Sequence, residues 1–322
     1  MSISSDYMID RRRLRRKLGL WRGLAIVAAG AAVLFAVARF SGAVSPDKLT
    51  PHIARIAIEN IIVGDKDTIN LIKSVGDSKA SAVVVTIDSP GGTTTGAENI
   101  YLELRRLAEK KPTVAVVGAM AASGGYIAAL ATDQIFVRGN SLIGSIGVLF
   151  QFPNVSKALD TIGVKMEEVK SSPLKAAPNG FEPTSEAARA ALSSLVSDSF
   201  AWFKDLVKTR RSLDDAELAK VADGRVFTGR QGLPLKLADQ LGGEREAVAW
   251  LETTKGVAKN LPIRDWKKKA KIDGLSMFET SARLLRFVGF DALGDVVSAL
   301  AVREQESRLD GLLAIWQGSS AH

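Results

Sequence analysis

The chain has 322 residues, 46% of them apolar and 24% charged, ordinary globular values that exclude general disorder. Cysteine is absent, which excludes disulfides, thiolate zinc sites and a cysteine nucleophile together. The net charge of +8 sits mostly in two clusters, Arg11–Arg22 and Lys267–Lys271. Neither has the aromatic interleaving or fold motif of a nucleic-acid binder, so no nucleic-acid partner is expected.

Gly23 to Val37 carries no charge, Arg39 interrupts it, and Phe40 to Val44 continues weakly apolar. If Arg39 snorkels outward, residues 23–44 are long enough to cross a bilayer as one N-terminal transmembrane helix. The basic segment 1–22 before it predicts a cytoplasmic N-terminus, with the rest of the chain on the periplasmic or extracytoplasmic side. A cleaved signal peptide is the rival reading, although no clear A-x-A site follows the apolar run.

Residues 45–51 read as a polar linker. From Ile53 the pattern alternates between strand and helix. Ile53–Ile62 is β-branched and reads as a strand, and Thr68–Ser78 has helical spacing. Ser81–Asp88 is a buried strand, and the Asp88-Ser-Pro-Gly-Gly92 stretch after it reads as a turn or loop. Gly96–Lys110 is an amphipathic helix, Thr113–Val117 a second buried strand, Ser123–Thr132 a small-residue helix and Asp133–Arg138 a short strand. Thr184 or Ser185 caps a long helix running toward Arg211, Asp214–Ala222 is another, and Gly229–Gly232 opens a further helix–turn unit. Repeated strand–helix units predict an α/β fold with a largely parallel sheet, over about 45–260. After Asn260 the rhythm is lost, and 261–322 reads as a helical or partly disordered extension.

Two segments carry candidate chemistry. In Ala121-Ala-Ser-Gly-Gly125, Ser123 stands between a buried strand and a helix start, where unpaired N–H groups and the positive dipole end face an attacking hydroxyl. The same serine could simply cap an alanine-rich helix. In Asp88-Ser-Pro-Gly-Gly92, two adjacent glycines at a strand end can offer backbone N–H groups to an oxyanion, to a phosphate, or only to a turn. Sites in open α/β sheets collect at the carboxyl ends of the strands, and both segments lie there. A nucleophile on one and oxyanion donors on the other suit acyl transfer.

Such a site needs a base, and histidine is confined to His52 and His322, neither well placed. A lysine serves if it is neutral. With an ordinary pKa near 10.4, only about one in 2,000 is uncharged at neutral pH. Burial can lower that value by about 3 to 5 pH units, and a shift of three costs about 4 kcal/mol.

At this point the sequence resembles a known family. Ile87-Asp-Ser-Pro-Gly-Gly92, Ala122-Ser-Gly-Gly-Tyr126, Gly144-Ser-Ile-Gly-Val148 and Gly224-Arg-Val-Phe-Thr-Gly-Arg230 are similar, in this order, to the short single-repeat bacterial form of signal peptide peptidase A. The likeness spans roughly 53–255. It implies a Clp protease/crotonase-like fold and a serine–lysine dyad, without metal or cofactor. The matching lysine lies in Val169-Lys-Ser-Ser-Pro-Leu-Lys-Ala176, at Lys175, with Lys170 as the nearby competitor. The same match has Ser145 hydrogen-bonding the lysine amine. The candidate oxyanion donors are the amides of Gly124 and of Gly91 or Gly92, the motif giving the loop rather than the individual amide, and Asp88 has no assigned step. Phe227 stands where the family often has tryptophan, and nothing in the family matches 261–322. The resemblance further implies a serine endopeptidase anchored in the bacterial inner membrane. It would be a ring-like homo-oligomer acting on cleaved signal peptides or other short unfolded peptides, with the dyad completed across or near subunit contacts. A crotonase-type acyl-CoA enzyme and a non-catalytic membrane scaffold are the alternatives.

Overall fold

The computed structural model describes residues 17–25, 28, 50–268 and 313–315. Residues 17–25 form a helix, α1, exposed along its length. Among the described residues no helix is long and apolar enough to cross a membrane. Most of the expected span 23–44 lies outside the described residues, as does the C-terminal extension apart from 261–268 and 313–315.

Residues 50–268 build a mixed α/β body around one sheet. Its central strands are β1 (His52–Ile62), β2 (Ala80–Thr93) and β3 (Thr113–Ala122), parallel neighbours joined by α2 (Lys66–Gly76) and α3 (Thr94–Lys110). Two short strands share the far edge of β3 in succession. β4 (Gln134–Val137) pairs with Val114–Val117, and β5 (Leu142–Gly144) pairs with Met120–Ala122. β6 (Val226–Thr228) runs antiparallel on β5, and β7 (Gln240–Leu241) parallel on β4. Of these, the sequence pattern indicates β1–β4 alone; β5, β6 and β7 are additions, and the sheet takes further strands beyond them. β8 (Ile263–Trp266) lies parallel to β1, beyond the point where the strand–helix rhythm fades. A triplet from the far end of the chain, β9 (Leu313–Ile315), pairs antiparallel with β2.

Alternation within the strands sorts the core into two layers. Ala54, Ile56, Ile58, Val83, Val85, Ile87, Ala115 and Val117 face one side. There they pack against α2, α3, α4 (Gly124–Leu130) and the buried Phe203 and Val207 of α6 (Glu186–Arg211). Ile53, Ala82, Val84, Val114 and Val116 face the other, where Ala247 and Leu251 of α9 (Glu244–Thr254) cover them. Helix starts follow capping chemistry. Asp65, Thr93 and Ser185 each accept a backbone N–H from the first turn of the helix that follows. Asp214 and Glu217 close a reciprocal box at α7 (Asp215–Val221).

The segment Asp88–Gly92 is not a loop. β2 continues through it to Thr93, with a register shift between Ile87 and Ser89 against β3 and another opposite Asn60 against β1. The reason is steric. A Cβ on Gly92 would lie 1.8 Å from the carbonyl oxygen of Ile62, so a glycine here lets β1 and β2 stay paired past the irregularity. His52, at the opposite end of β1, is fully buried. Its ring contacts the Thr50 carbonyl at 2.8 Å and stacks on Trp266, tying β8 to the start of the sheet.

Tyr126 of α4 is completely buried, and its hydroxyl donates to the Leu237 carbonyl at 2.8 Å. Tyr126→Phe leaves that carbonyl unpaired in the core. A loss of about 1–2 kcal/mol is expected, read as a melting temperature a few degrees lower.

Candidate active site

Four sequence segments converge where β3 ends. Ala122 pairs with Gly144 of β5, and the Ser123 amide donates to the Gly144 carbonyl at 2.8 Å. The next residue along, Ser145, donates its own amide to the Arg225 carbonyl at 2.8 Å. Gly125 backs onto β2 so closely that a Cβ there would lie 2.6 Å from the Ser89 carbonyl oxygen. The Asp88–Gly92, Ala122–Tyr126, Gly144–Val148 and Gly224–Arg230 segments thus form one backbone-linked cluster.

Ser123 is its centre. Its φ of 53° and ψ of −116° lie outside the ordinary region for a residue with a side chain. Holding such a conformation costs on the order of 1–3 kcal/mol and persists only where the surroundings enforce it. Here the Gly144 bond and the Gly125–Ser89 contact do so. The serine is 1% exposed, and among the described residues its Oγ is the one buried side-chain polar atom without a hydrogen-bond partner. Leaving a buried hydroxyl unpaired costs a further ~1–3 kcal/mol. α4 begins at the next residue, so the N–H groups of its first turn lie beside the hydroxyl with no partner inside the helix.

The glycine pair is less symmetrical than its sequence. Gly91, at φ 104°, donates its amide to Ser89 Oγ at 3.1 Å, so that N–H is already engaged. Ser89, which sequence reasoning passed over, is fully buried and donates its hydroxyl to the Asn60 carbonyl at 2.5 Å. It braces the turn of β2 beside Ser123, and its place inside the Asp88–Gly92 motif was the only signal available. Asp88 is exposed, accepts from the Ala119 amide at 3.3 Å, and points to a cleft of about 740 Å³ that Glu59, Ile61, Pro90 and Met120 also line.

Behind the serine, burial pushes the Tyr126 phenol well above its ordinary value, so it stays a neutral donor. Burial is the largest influence on Arg211 and opposes its charge, but the bond to Asp239 at 2.6 Å and the attraction to Tyr126 and Asp239 together raise the guanidinium net. Asp239 in turn accepts the Ile135 amide at 2.7 Å, which ties β4 to the chain entering β7.

The lysines are placed differently. Ser145 lies beside Ser123 through the Gly144 bond, but Lys175 is exposed and does not hydrogen-bond Ser123 Oγ. Its backbone closes a turn onto Ser172 at 3.1 Å. Lys170 pairs with Glu168 and, at 3.6 Å, with Glu182, so its amine is occupied away from the serine. Between 155 and 184 the chain exposes Ile162, Val164, Met166, Val169, Leu174 and Phe181.

A parallel α/β body presenting a strained, buried serine at a helix start, beside a glycine-bearing strand, is laid out as a serine-type acyl-transfer site. Comparison with known proteins gives the family. The profile of Peptidase family S49 matches residues 105–258. A Synechocystis protein named as a protease is 35% identical over 207 residues, which are 64% of this chain and 75% of that protein. Serine protease SPPA of Arabidopsis thaliana chloroplasts is 30% identical over 312 residues, 92% of this chain but 42% of that protein. Among solved structures, a ClpP1 mutant from Listeria monocytogenes aligns over 60% of this chain and 94% of its own, at 12% identity and a TM-score of 0.40. The chain belongs to peptidase family S49.

If Ser123 carries both backbone strain and an unpaired hydroxyl, removing the hydroxyl stabilises the protein. Ser123→Ala and Ser123→Gly should each raise stability by about 1 kcal/mol or more, measured by thermal melting. Unchanged or lower melting temperatures would show that the hydroxyl is satisfied in solution.

Proposed function

We propose that the protein is a membrane-anchored serine endopeptidase working through a Ser123–Lys175 dyad. The observation that carries this reading is the strained, buried and unpartnered Ser123 hydroxyl at the start of α4. Ser123 Oγ attacks a peptide carbonyl, and the Lys175 amine takes the hydroxyl proton. Backbone amides hold the oxyanion: Gly124, which opens α4, and Gly92, since the Gly91 amide is engaged by Ser89. The C–N bond breaks, Lys175 passes the proton to the leaving amine, and water hydrolyses the Ser123 ester. Ser145, next to the residue bonded to Ser123, orients the lysine amine.

Lys175 reaches Ser123 only if its segment closes over the site. The exposed apolar side chains of 155–184 support a homo-oligomer in which that segment is covered and the dyad completed at or near subunit contacts. On this reading residues 1–22 are cytoplasmic, 23–44 span the bacterial inner membrane, 45–260 form the peptidase domain on the outer side, and 261–322 are an extension. Substrates are short unfolded apolar peptides, signal peptides released into the membrane among them, bound as an added strand.

Hydrolysis of an apolar test peptide by the full chain tests the dyad. Ser123→Ala and Lys175→Ala should each lower kcat by at least about 10²–10⁴-fold while the protein stays folded. Lys175→Arg should be no better than alanine, because a guanidinium does not release its proton. Lys170→Ala should stay within a factor of about three. Fluorophosphonate labelling at Ser123 separates this reading from an acyl-CoA enzyme. Normal turnover in Lys175→Ala would remove the dyad as written.

A further inference from the structure

A strand has two edges, and at Gly91 and Gly92 one edge of β2 is filled by Ile61 and Ile62 of β1. On the other edge β3 accompanies β2 only as far as the Ser89–Ala121 pair. β3 then reaches Ser123 and turns into α4, so its lane beside β2 falls open at the glycines. The chain fills that lane itself. Leu313, Ala314 and Ile315 pair with Thr93, Gly92 and Gly91 in antiparallel register. Because the pairing is antiparallel, the triplet runs from the cap of α3 toward Ser89, and its carboxyl end heads for the end of β3 and Ser123.

The surrounding sequence fits the lane. Residues 311–318 read Gly-Leu-Leu-Ala-Ile-Trp-Gln-Gly, an apolar run with a small residue at its centre. It has the composition of the short apolar peptides proposed above as substrates. A segment tethered to the body meets the lane at an effective concentration on the order of millimolar, so even weak strand pairing keeps it occupied much of the time.

We propose that Leu313–Ile315 is a built-in occupant of the peptide-binding lane. The protein's own C-terminal segment docks by strand addition on Gly91–Thr93 and competes there with peptide substrates. Docking stands on the strand pairing alone, whereas competition rests on the reading of Ser123 as nucleophile.

The test uses the full chain in detergent, carrying Leu313→Pro and Ala314→Pro together. Neighbouring strand amides point to opposite edges, so one of the two prolines removes a bond toward β2. In a Ser123→Ala background, hydrogen exchange is followed at the Gly92 and Thr93 amides with and without the prolines. Exchange at one of these amides at least about tenfold faster in the proline variant is expected. Equal exchange at both overturns the docking, whatever Ser123 does. With Ser123 intact, the prolines should lower KM for an apolar test peptide by about 2–10-fold, with kcat unchanged. An unchanged KM in an active enzyme overturns the competition. An enzyme without turnover instead indicts the catalytic reading, while the exchange result still decides the docking.

Discussion

The site depends on one close contact, that of Gly125 with the Ser89 carbonyl. With a side chain at 125, α4 could not back onto β2, because its Cβ would stand 2.6 Å from that oxygen. With the glycine, the chain leaves β3 at Ser123, turns sharply and starts a helix within one residue. That turn forces the unusual φ of Ser123, buries its hydroxyl and points the first N–H groups of α4 at the same spot. It also ends the β2–β3 pairing at Ser89 and Ala121, which leaves the edge of β2 open beside the glycines. The strained serine, the exposed helix-start amides and the open edge of β2, to which the proposed reading gives the roles of nucleophile, anion donors and peptide lane, therefore follow from a single packing event.

Such a centre is bought with stability. Backbone strain and an unpaired buried hydroxyl together oppose folding by an amount comparable to a sizeable fraction of a domain's net stability. The compensation sits behind the serine rather than at it. Tyr126 anchors α4 to the Leu237 carbonyl, and Arg211 with Asp239 ties α6 to β4. The apolar contacts of Ile127, Leu130, Phe203 and Val207 hold the helix layer on the sheet. A rigid frame around one strained residue is the arrangement expected where geometry is preorganised rather than adjusted on binding.

Most of the frame was legible in the sequence, because buried parallel strands and amphipathic helices write their period directly. β1, β2, β3, α3, α4 and α6 fall where Ile53–Ile62, Ser81–Asp88, Thr113–Val117, Gly96–Lys110, Ser123–Thr132 and the Ser185 cap place them. Other elements did not write theirs, the three short strands β5, β6 and β7 among them. Pro90, Gly91 and Gly92 carry turn chemistry, yet β2 runs on through them because the close approach of Ile62 requires glycine in a strand. β8 is four residues with two charges, Arg264 and Asp265, and edge strands of that kind lack an apolar signature. Within the site, the meeting of Ser123, Gly144, Ser145 and Ser89 could be anticipated from the motifs. The position of Lys175 could not, because its segment packs on nothing that the local sequence specifies.

An exposed lysine is physically consistent with the role proposed for it. In water an amine keeps its proton, and only desolvation makes it a base. A lysine fixed permanently in a dry pocket would tax the fold by several kcal/mol even when idle. One carried on a segment whose apolar side chains still face solvent incurs that penalty only when the segment is covered. Burying Ile162, Val164, Met166 and Val169 would offset part of what neutralising one amine requires. On the proposed reading, coverage of 155–184 would take Lys175 out of water only where the assembled site, and the lane beside Gly92, is already in place.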